Sequence, residues 1–470
     1  MKKNSSIKNE ETLNVLIVGM DSVSRINLHR QMPKTINVLE NMDAIELLGY
    51  NKVADNTFLN LVPVLSGLTE SELSQTSCWF KNTTFDKCNW IWKNFKEIGF
   101  RTAFGEDTSE FGLFTYMKLG FQEQPTDYYI RTIMRTSEED IGYKKDPYAR
   151  VCLGSEMTYV ALLRYIKNYA LTMSFKESFA FFWVTSLTHD YLNYPSLGDD
   201  KFAEFFNQLI DSGSLNRTLL IFMSDHGIRW GDIRETYQGR LEERLPFVFF
   251  VFPDWFKEQY PAAIANLRKN KYRLTTPFDI YKTLYDIVDL KQLEQETILK
   301  RSKDLSEMEP KPRAISLFLS VPKNRNCEVA GIEKHWCTCQ KSEPLPIEDP
   351  IAMKMSLVLV EYLNNMLKPY GLCSELKYAE LKSANVQFPL EDMAQKITDK
   401  GLKDYVIVTR TTPGDALFEA TIRHYLGNNT VNVIGTVSRI NSYGSQSMCV
   451  TDYHVKPYCF CSSFLNSTSK

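Results

Sequence analysis

The sequence is short of three things that would assign it a class at once. It has no apolar stretch near the roughly 20 residues needed to span a bilayer as a helix. Its most apolar stretch, residues 245–256, is too short and holds two prolines. It has no excess of one charge: 55 Lys and Arg stand against 57 Asp and Glu, a net charge of −2. Without a basic run or patch, the electrostatic footprint of a nucleic-acid binder is missing. It has little histidine, six residues in 470, so a site built on several imidazoles has few places to come from. No period of 20–50 residues recurs, which argues against a solenoid or propeller. The first residues, Met1-Lys2-Lys3-Asn4-Ser5-Ser6, are polar and lack the apolar core of a secretory leader.

What is present is an ordinary globular composition, with 43% hydrophobic and 24% charged residues, in a chain long enough for about two domains. Ten cysteines stand out. Cys449, Cys459 and Cys461 lie in the tail, and Cys327, Cys337 and Cys339 form a second group. Cys78 and Cys88 flank Asn82-Thr83-Thr84, a glycosylation sequon, and are expected to pair around it; further sequons begin at Asn4, Asn216, Asn428 and Asn466. Clustered cysteines beside sequons favour an oxidising compartment. The expectation is a secreted or lumenal protein whose leader lies outside this chain, with the tail and 327–339 groups largely oxidised. The competing reading is a cytosolic protein with free thiols; zinc at Cys337-Thr338-Cys339 or Cys459-Phe460-Cys461 is a further alternative, though structural zinc sites space their cysteines by about two to four residues.

Short apolar runs alternate with helical patterns from residue 13 to about 300, the signature of a parallel α/β sheet flanked by helices. Residues 15–18 and 219–223 are apolar without alternation, as in strands buried on both faces. Gly19 is read as the strand's exit. A strand is expected near 46–53, another at 181–185, and another at 247–252. Helices are expected at 59–66 with Gly67 as the stop, at 87–98, after a Ser155 cap, around Phe202 to Ile210, and from Pro277 at its first turn. Trp90, Trp92 and Phe95 are read as core. The organisation expected is a polar leader at 1–12, a main domain at 13–300, a charged linker at 301–313, and a smaller cysteine-rich α+β portion at 314–470.

Asp21 follows the first buried strand, and Asp225-His226 follow another. Ligands of open α/β sheets gather at the carboxyl ends of strands, so these three are expected to meet there. Two carboxylates and an imidazole suit zinc or another borderline divalent ion. Thr57 sits at an expected helix N-terminus, where backbone N–H groups favour an anion. A hydroxyl on a metal becomes a nucleophile near neutral pH. Asn60, one turn on, is expected to donate its amide to a developing oxyanion. Each of these residues taken alone reads more readily as a cap or turn residue; the ordered set is what points to displacement at a phosphate or sulfate ester.

Gly19-Met20-Asp21, Asn56-Thr57-Phe58-x-Asn60 with Leu65-Ser66-Gly67, Ser224-Asp225-His226-Gly227 and Thr276-Pro277-Phe278-Asp279 resemble the alkaline phosphatase and sulfatase superfamily over about residues 13–290. The Thr57 segment is similar to that of nucleotide pyrophosphatase/phosphodiesterases, where a threonine attacks phosphorus. Nearly the whole chain resembles a secreted metazoan family known as a domain of unknown function, family 229. That likeness is carried by Asp21-Ser22-Val23-Ser24-Arg25, Asp55-Asn56-Thr57-Phe58, Gly105-Glu106-Asp107, Ser186-Leu187-Thr188-His189-Asp190, residues 240–246 and His335-Trp336-Cys337-x-Cys339. The resemblance implies one metal site made by Asp21, Thr57, Asp225 and His226. Thr57 stands where sulfatases have the cysteine that becomes formylglycine, and acidic Glu106 and Asp107 stand near their lysine, which argues against sulfate esters.

The same resemblance leaves several residues with two readings. His189 either touches the leaving group or, with Asp190, ligates a second ion. Glu106, Asp107 and Arg229 are further candidates for a second metal or for substrate. Arg229, Arg234, Arg240 and Arg244, with Glu242 and Glu243, form either an anion-binding or a solvated salt-bridged loop. The function expected is a metal-dependent hydrolase or transferase acting on an anionic phosphate ester through Thr57. The alternatives are a secreted binding protein on the same fold and a sulfatase-like enzyme without formylglycine.

Overall fold

The computed structural model describes residues 12–465 except 81, 147 and 390–400; all of the expected leader but Thr12, and the sequons at Asn4 and Asn466, lie outside them. The main sheet has seven strands: β1 (Asn14–Met20), β2 (Ile45–Glu46), β3 (Arg101–Glu106), β4 (Tyr128–Tyr129), β5 (Ser178–Val184), β6 (Thr218–Ser224) and β7 (Val248–Val251). Their order is β2-β7-β6-β1-β5-β3-β4. β1 runs parallel to β5 and β6, and β3 parallel to β5 and β4. Only β7 is reversed, pairing antiparallel with β6 and β2.

Every residue of β1, β5 and β6 is buried. Side chains alternate across a strand, so Val15 and Ile17 enter one core and Leu16 and Val18 the other. The helices used below are α1 (Thr57–Ser66), α2 (Thr158–Met173), α3 (Pro195–Asp211), α4 (Tyr237–Arg244), α5 (Pro277–Ile287), α6 (Gln295–Glu307) and α7 (Pro350–Leu367). α1, α5 and the aromatic set Trp90, Trp92 and Phe95 pack on the first face; α2 and α3 pack on the second. No described helix is long and apolar enough to cross a membrane.

Gly19 does not serve as the strand's exit. It lies in register with Trp183 of β5, and a Cβ there would stand 1.9 Å from the indole ring. The left-handed residue that turns the chain is Ser22, with φ 62°. Gly67, with φ 73°, ends α1 as expected. The strand expected over 46–53 is two residues long. Beyond it the backbone amides of Leu48, Asn51 and Lys52 bond to Lys271, Thr275 and Arg244 in turn, so no single partner strand exists. The helix expected over 87–98 is only Ile91–Glu97, because Cys88 is tied to Cys78 and Trp90 is extended. Ser155 is not a cap: Glu156–Met157 pair in a small antiparallel sheet before α2 begins.

The linker expected at 301–313 is, over its first half, the end of α6. Ile315, Leu317, Phe318, Leu319 and Val321 then join the main core. Cys327 and Cys337, bonded to each other, pack with Val53 and Phe278. We therefore place the boundary between the two units near residue 339. After it comes a separate antiparallel sheet of β8 (Gln340–Leu345), β9 (Lys377–Pro389), β10 (Leu402–Thr412), β11 (Ala416–Tyr425) and β12 (Thr430–Arg439), its strands in sequence order. α7 packs on it.

The two units meet through buried charge. Arg244 of α4 donates to Glu419 of β11 at 2.5 Å and to the His335 carbonyl at 3.0 Å. Arg234 and Arg240 also lie within salt-bridge distance of Glu419. Arg234, Arg240 and Arg244 thus form neither a solvated loop nor an anion-binding one. Arg234, Arg240 and Arg244 are buried at the junction, and removing one partner there would leave an uncompensated buried charge.

Candidate metal and ester site

Because Met20 of β1 is in register with Ser224 of β6, the next residues, Asp21 and Asp225, emerge side by side. Both are buried. The left-handed turn at Ser22 directs its N–H to Asp225 Oδ1 at 3.1 Å, and the His226 N–H reaches the same oxygen at 2.9 Å. Ser22 Oγ donates to Asp21 Oδ1 at 2.8 Å. α1 begins opposite them. Asn56 caps it by accepting the Leu59 N–H, and Thr57 Oγ1 comes to 3.4 Å from Asp21 Oδ1 and 3.3 Å from His226 Nε2.

The donor set fits a cation. His226 Nδ1 is 2.8 Å from the Gly227 carbonyl, which can only accept, so Nδ1 carries the proton and the neutral ring presents a lone pair at Nε2. Burial, together with Lys52 and Arg229, holds the His226 pKa below its ordinary value against the pull of Asp225. That lone pair faces Asp225 Oδ2 at 3.2 Å and Asp21 Oδ1 at 3.8 Å. Asp225 Oδ2 is buried and has no hydrogen-bond partner among the described residues. Burial raises the pKa of both aspartates. Ligand atoms of the three residues lie within 4.8 Å of one another, so three electron-pair donors converge with nothing between them. A small divalent ion satisfies such a set.

The other expected ligands are engaged elsewhere. Asp190 Oδ2 accepts the N–H groups of Tyr148 and Ala149 at 3.0 and 2.8 Å, and its Oδ1 is 2.7 Å from His189 Nδ1. It orients His189, and among the described residues no cluster of histidine and carboxylates gathers around it. Burial works against a charged His189, but Asp190 and Asp21 outweigh it and raise its pKa. Its ring lies edge-on to Phe111 and Trp230, at 4.7 and 5.2 Å. Asp107 accepts from the Thr185 N–H and the Ser186 N–H and hydroxyl, so it braces the turn after β5 and is not a ligand. Burial pushes its pKa up to about 6. Glu106 accepts the Leu113 N–H at 2.6 Å, faces the cavity, and is pushed by burial to about 8. Among the described residues no second cluster of histidine and carboxylates gathers; the two cysteine groups are in disulfides, save Cys339.

Asn60 is not placed to donate to an oxyanion. Its Oδ1 accepts the N–H groups of Val53 and Ala54, and its Nδ2 donates to the carbonyls of Ala54 and Asn56. With all of these bonds made and 1% exposure, it staples the loop before Thr57 to α1. Arg229 does face the cavity, paired with Asp55.

A cavity of about 200 Å³ opens above Thr57, floored by Asp21, Asp55, Glu106, His189 and Arg229. Its far wall comes from the C-terminal unit: Tyr443, Tyr453, His454, Lys456 and Tyr458. The sequence reading missed this wall. The available signal was the run Tyr453-His454-x-Lys456-Pro457-Tyr458, dense in aromatic and basic side chains, beside Cys449, Cys459 and Cys461. Disulfides Cys373–Cys459 and Cys449–Cys461 fasten that run.

No curated protein sequence matches the chain at a significant level. Among solved structures, a protein in the alkaline phosphatase superfamily from Vibrio parahaemolyticus is similar at 12% identity, covering 96% of this chain and 86% of that one, with a TM-score of 0.41. A phosphonate monoester hydrolase from Silicibacter pomeroyi is similar at 13% identity, 88% and 89% coverage, and a TM-score of 0.41. The lipoteichoic acid synthase LtaP from Listeria monocytogenes is similar at 14% identity, 52% and 66% coverage, and a TM-score of 0.37. At such identities and scores no residue's role is carried across. The sequence model described as "Protein of unknown function (DUF229)" matches residues 1–382, and the chain belongs to that family.

Proposed function

We propose that the protein is a metal-dependent hydrolase or transferase of phosphate esters, with Thr57 as nucleophile and zinc held by Asp21, Asp225, His226 and Thr57. The observation that carries this reading is the orphaned Asp225 Oδ2 facing the His226 Nε2 lone pair, with the Thr57 hydroxyl at their edge and open to the cavity. A divalent cation there supplies Lewis-acid polarisation of the phosphoryl group and lowers the pKa of the Thr57 hydroxyl.

The chain's own groups do the rest. Thr57 Oγ1 forms the bond to phosphorus as the ester P–O bond breaks, and its proton leaves by way of Asp21 Oδ1, 3.4 Å away. His189, oriented by Asp190, gives the departing oxygen its proton from the ring nitrogen that Asp190 does not hold. Arg229 meets the phosphoryl oxygens while Asp55 fixes its guanidinium. Water or an acceptor hydroxyl then takes the phosphoryl group from Thr57. The four disulfides and the exposed sequon at Asn82 support placing this chemistry in a secreted protein. Metal analysis of the purified protein, with a screen of aryl phosphate mono- and diesters and aryl sulfates, tests the reading. One equivalent of zinc and release of phenol from a phosphate ester are expected; a metal-free protein inert to every ester would overturn it.

A further inference from the structure

Two stretches of the cavity wall have no part in that reaction. The loop after β3 brings Phe111, Tyr116 and Lys118 to the cavity, and the disulfide-fastened segment 453–458 brings Tyr453, His454 and Lys456. Met117, between Tyr116 and Lys118, has φ 55°. A side chain-bearing residue rarely holds that left-handed conformation, and where it is held it concentrates at functional sites.

Lys118 Nζ lies between two aromatic faces, 4.2 Å from the centre of Phe58, the neighbour of Thr57, and 4.1 Å from that of Tyr453. It donates to the Tyr116 carbonyl at 3.3 Å. Among the described residues no carboxylate is within salt-bridge distance of Lys118 or Lys456. The nearest charge felt at Lys118 is that of Glu70, and Glu70 is taken by the Tyr453 hydroxyl and by His454 Nε2 at 3.4 Å. The carboxylates lining the cavity all sit at its floor and are accounted for: Asp21 in the cation cluster, Asp55 on Arg229, Glu106 on the Leu113 N–H. Burial lowers the Lys118 ammonium to about 8 against the weaker pull of Glu70. The outer wall thus offers two half-buried lysines and several aromatic rings, with no carboxylate in salt-bridge contact with either lysine.

Resting on the phosphate-ester reading above, we infer that the site takes esters whose leaving group is a ring carrying an anionic group of its own. The ring lies among Tyr116, Tyr443 and Tyr453, and its anion meets Lys118 and Lys456. Each such contact is a charge-assisted hydrogen bond in a partly desolvated place, and the aromatic walls suit the faces of a ring.

Calorimetry with two non-hydrolysable probes, phenylphosphonate and 4-phosphonobenzoate, in the presence of zinc tests this. The probes differ only in the carboxylate at the ring's far end. 4-Phosphonobenzoate should bind about tenfold more tightly or better, the scale of one hydrogen bond to a charged group. In Lys118→Met, which keeps the stem between the two rings, the ratio of the two affinities should fall toward one, and Lys456→Met should reduce it as well. Equal binding of the two probes, or binding of neither, overturns the inference, as does a ratio that survives both substitutions. A preference for the carboxylated probe in a protein that turns over no phosphate ester would retain the subsite and reject the reaction.

Discussion

His226 Nε2 stands 3.2 Å from Asp225 Oδ2, a lone pair against an unpartnered carboxylate oxygen. Left alone, the pair is unfavourable, because two acceptors are buried face to face with no proton or donor between them. The register of β1 with β6 and the left-handed turn at Ser22 force this arrangement. Backbone geometry therefore holds together a donor set that a cation or a proton would relieve.

Asp225→Asn removes one of the converging charges without changing shape. Zinc content and ester turnover should fall together, since the site's affinity depends on deprotonated ligands. In the parent protein, zinc at a hundred times its dissociation constant should stabilise the fold by about 2.7 kcal/mol, and this gain should be absent from the variant. Thermal melts with zinc and with chelator read both. Undiminished zinc binding in the variant would remove Asp225 from the site.

Glu106 provides a pH test in metal-free protein. Its folded pKa is raised by burial from 4.5 to about 8. Such a group favours the fold fully below its unfolded pKa, and this contribution is lost as pH rises through the folded value. Between those two values the unfolded chain binds one proton fewer, so stability falls by about 1.4 kcal/mol per pH unit from this group. Glu106→Gln should flatten the decline between pH 4.5 and 8 by about that slope. Urea melts across this range give the slope, and an unchanged slope would show that Glu106 is ionised in the fold.

Asn60→Ala separates the structural role from the oxyanion role read from sequence. Four hydrogen bonds between the 53–56 loop and α1 run through this amide. Deleting it leaves buried N–H and C=O groups unpaired, at about 1–3 kcal/mol for each group left unsatisfied. The melting temperature should fall, with activity falling in step as Thr57 loses its support. A large loss of turnover with an unchanged melt would restore the oxyanion assignment.

The strands were legible because residues buried on both faces of a parallel sheet must be apolar throughout, as 15–18 and 219–223 are. The meeting of Asp21 with Asp225 and His226 was legible because the carboxyl ends of neighbouring parallel strands meet. Asn60 was misread because a polar residue one turn past a nucleophile looks the same whether it faces substrate or its own loop; only the hydrogen-bond partners decide. Asp190 and Asp107, expected to serve a second metal or substrate, are likewise ambiguous in sequence; in the fold they accept hydrogen bonds from neighbouring loops. The 46–53 strand failed because its amides bond to three different segments. The C-terminal wall was missed because the aromatic and basic run at 453–458, visible as a run, carries no record of the cavity that two disulfides hold it against, nearly 400 residues away in sequence.

Peptide mapping under non-reducing conditions should find Cys78–Cys88, Cys327–Cys337, Cys373–Cys459 and Cys449–Cys461 bonded, with Cys152 and Cys339 free. The 86-residue separation of Cys373 and Cys459 makes that bond the largest entropic contributor, roughly 4–5 kcal/mol against about 3 for a ten-residue loop. Replacing both cysteines by serine should destabilise the C-terminal unit most and loosen the cavity wall. A free thiol at Cys78 or Cys88 in protein from a secretory host would contradict the pairing.

The most direct measurement is phosphate-ester turnover per bound metal in Thr57→Ala and Thr57→Ser. Thr57 is one of four proposed ligands, so both variants should keep most of their zinc. Thr57→Ala should lose turnover by roughly a thousandfold or more, the scale of removing a nucleophile. Thr57→Ser, which keeps the hydroxyl, should retain a measurable part of it. Rapid quenching of the parent protein should trap phosphate on Thr57. Full activity in Thr57→Ala with zinc retained would contradict the covalent mechanism.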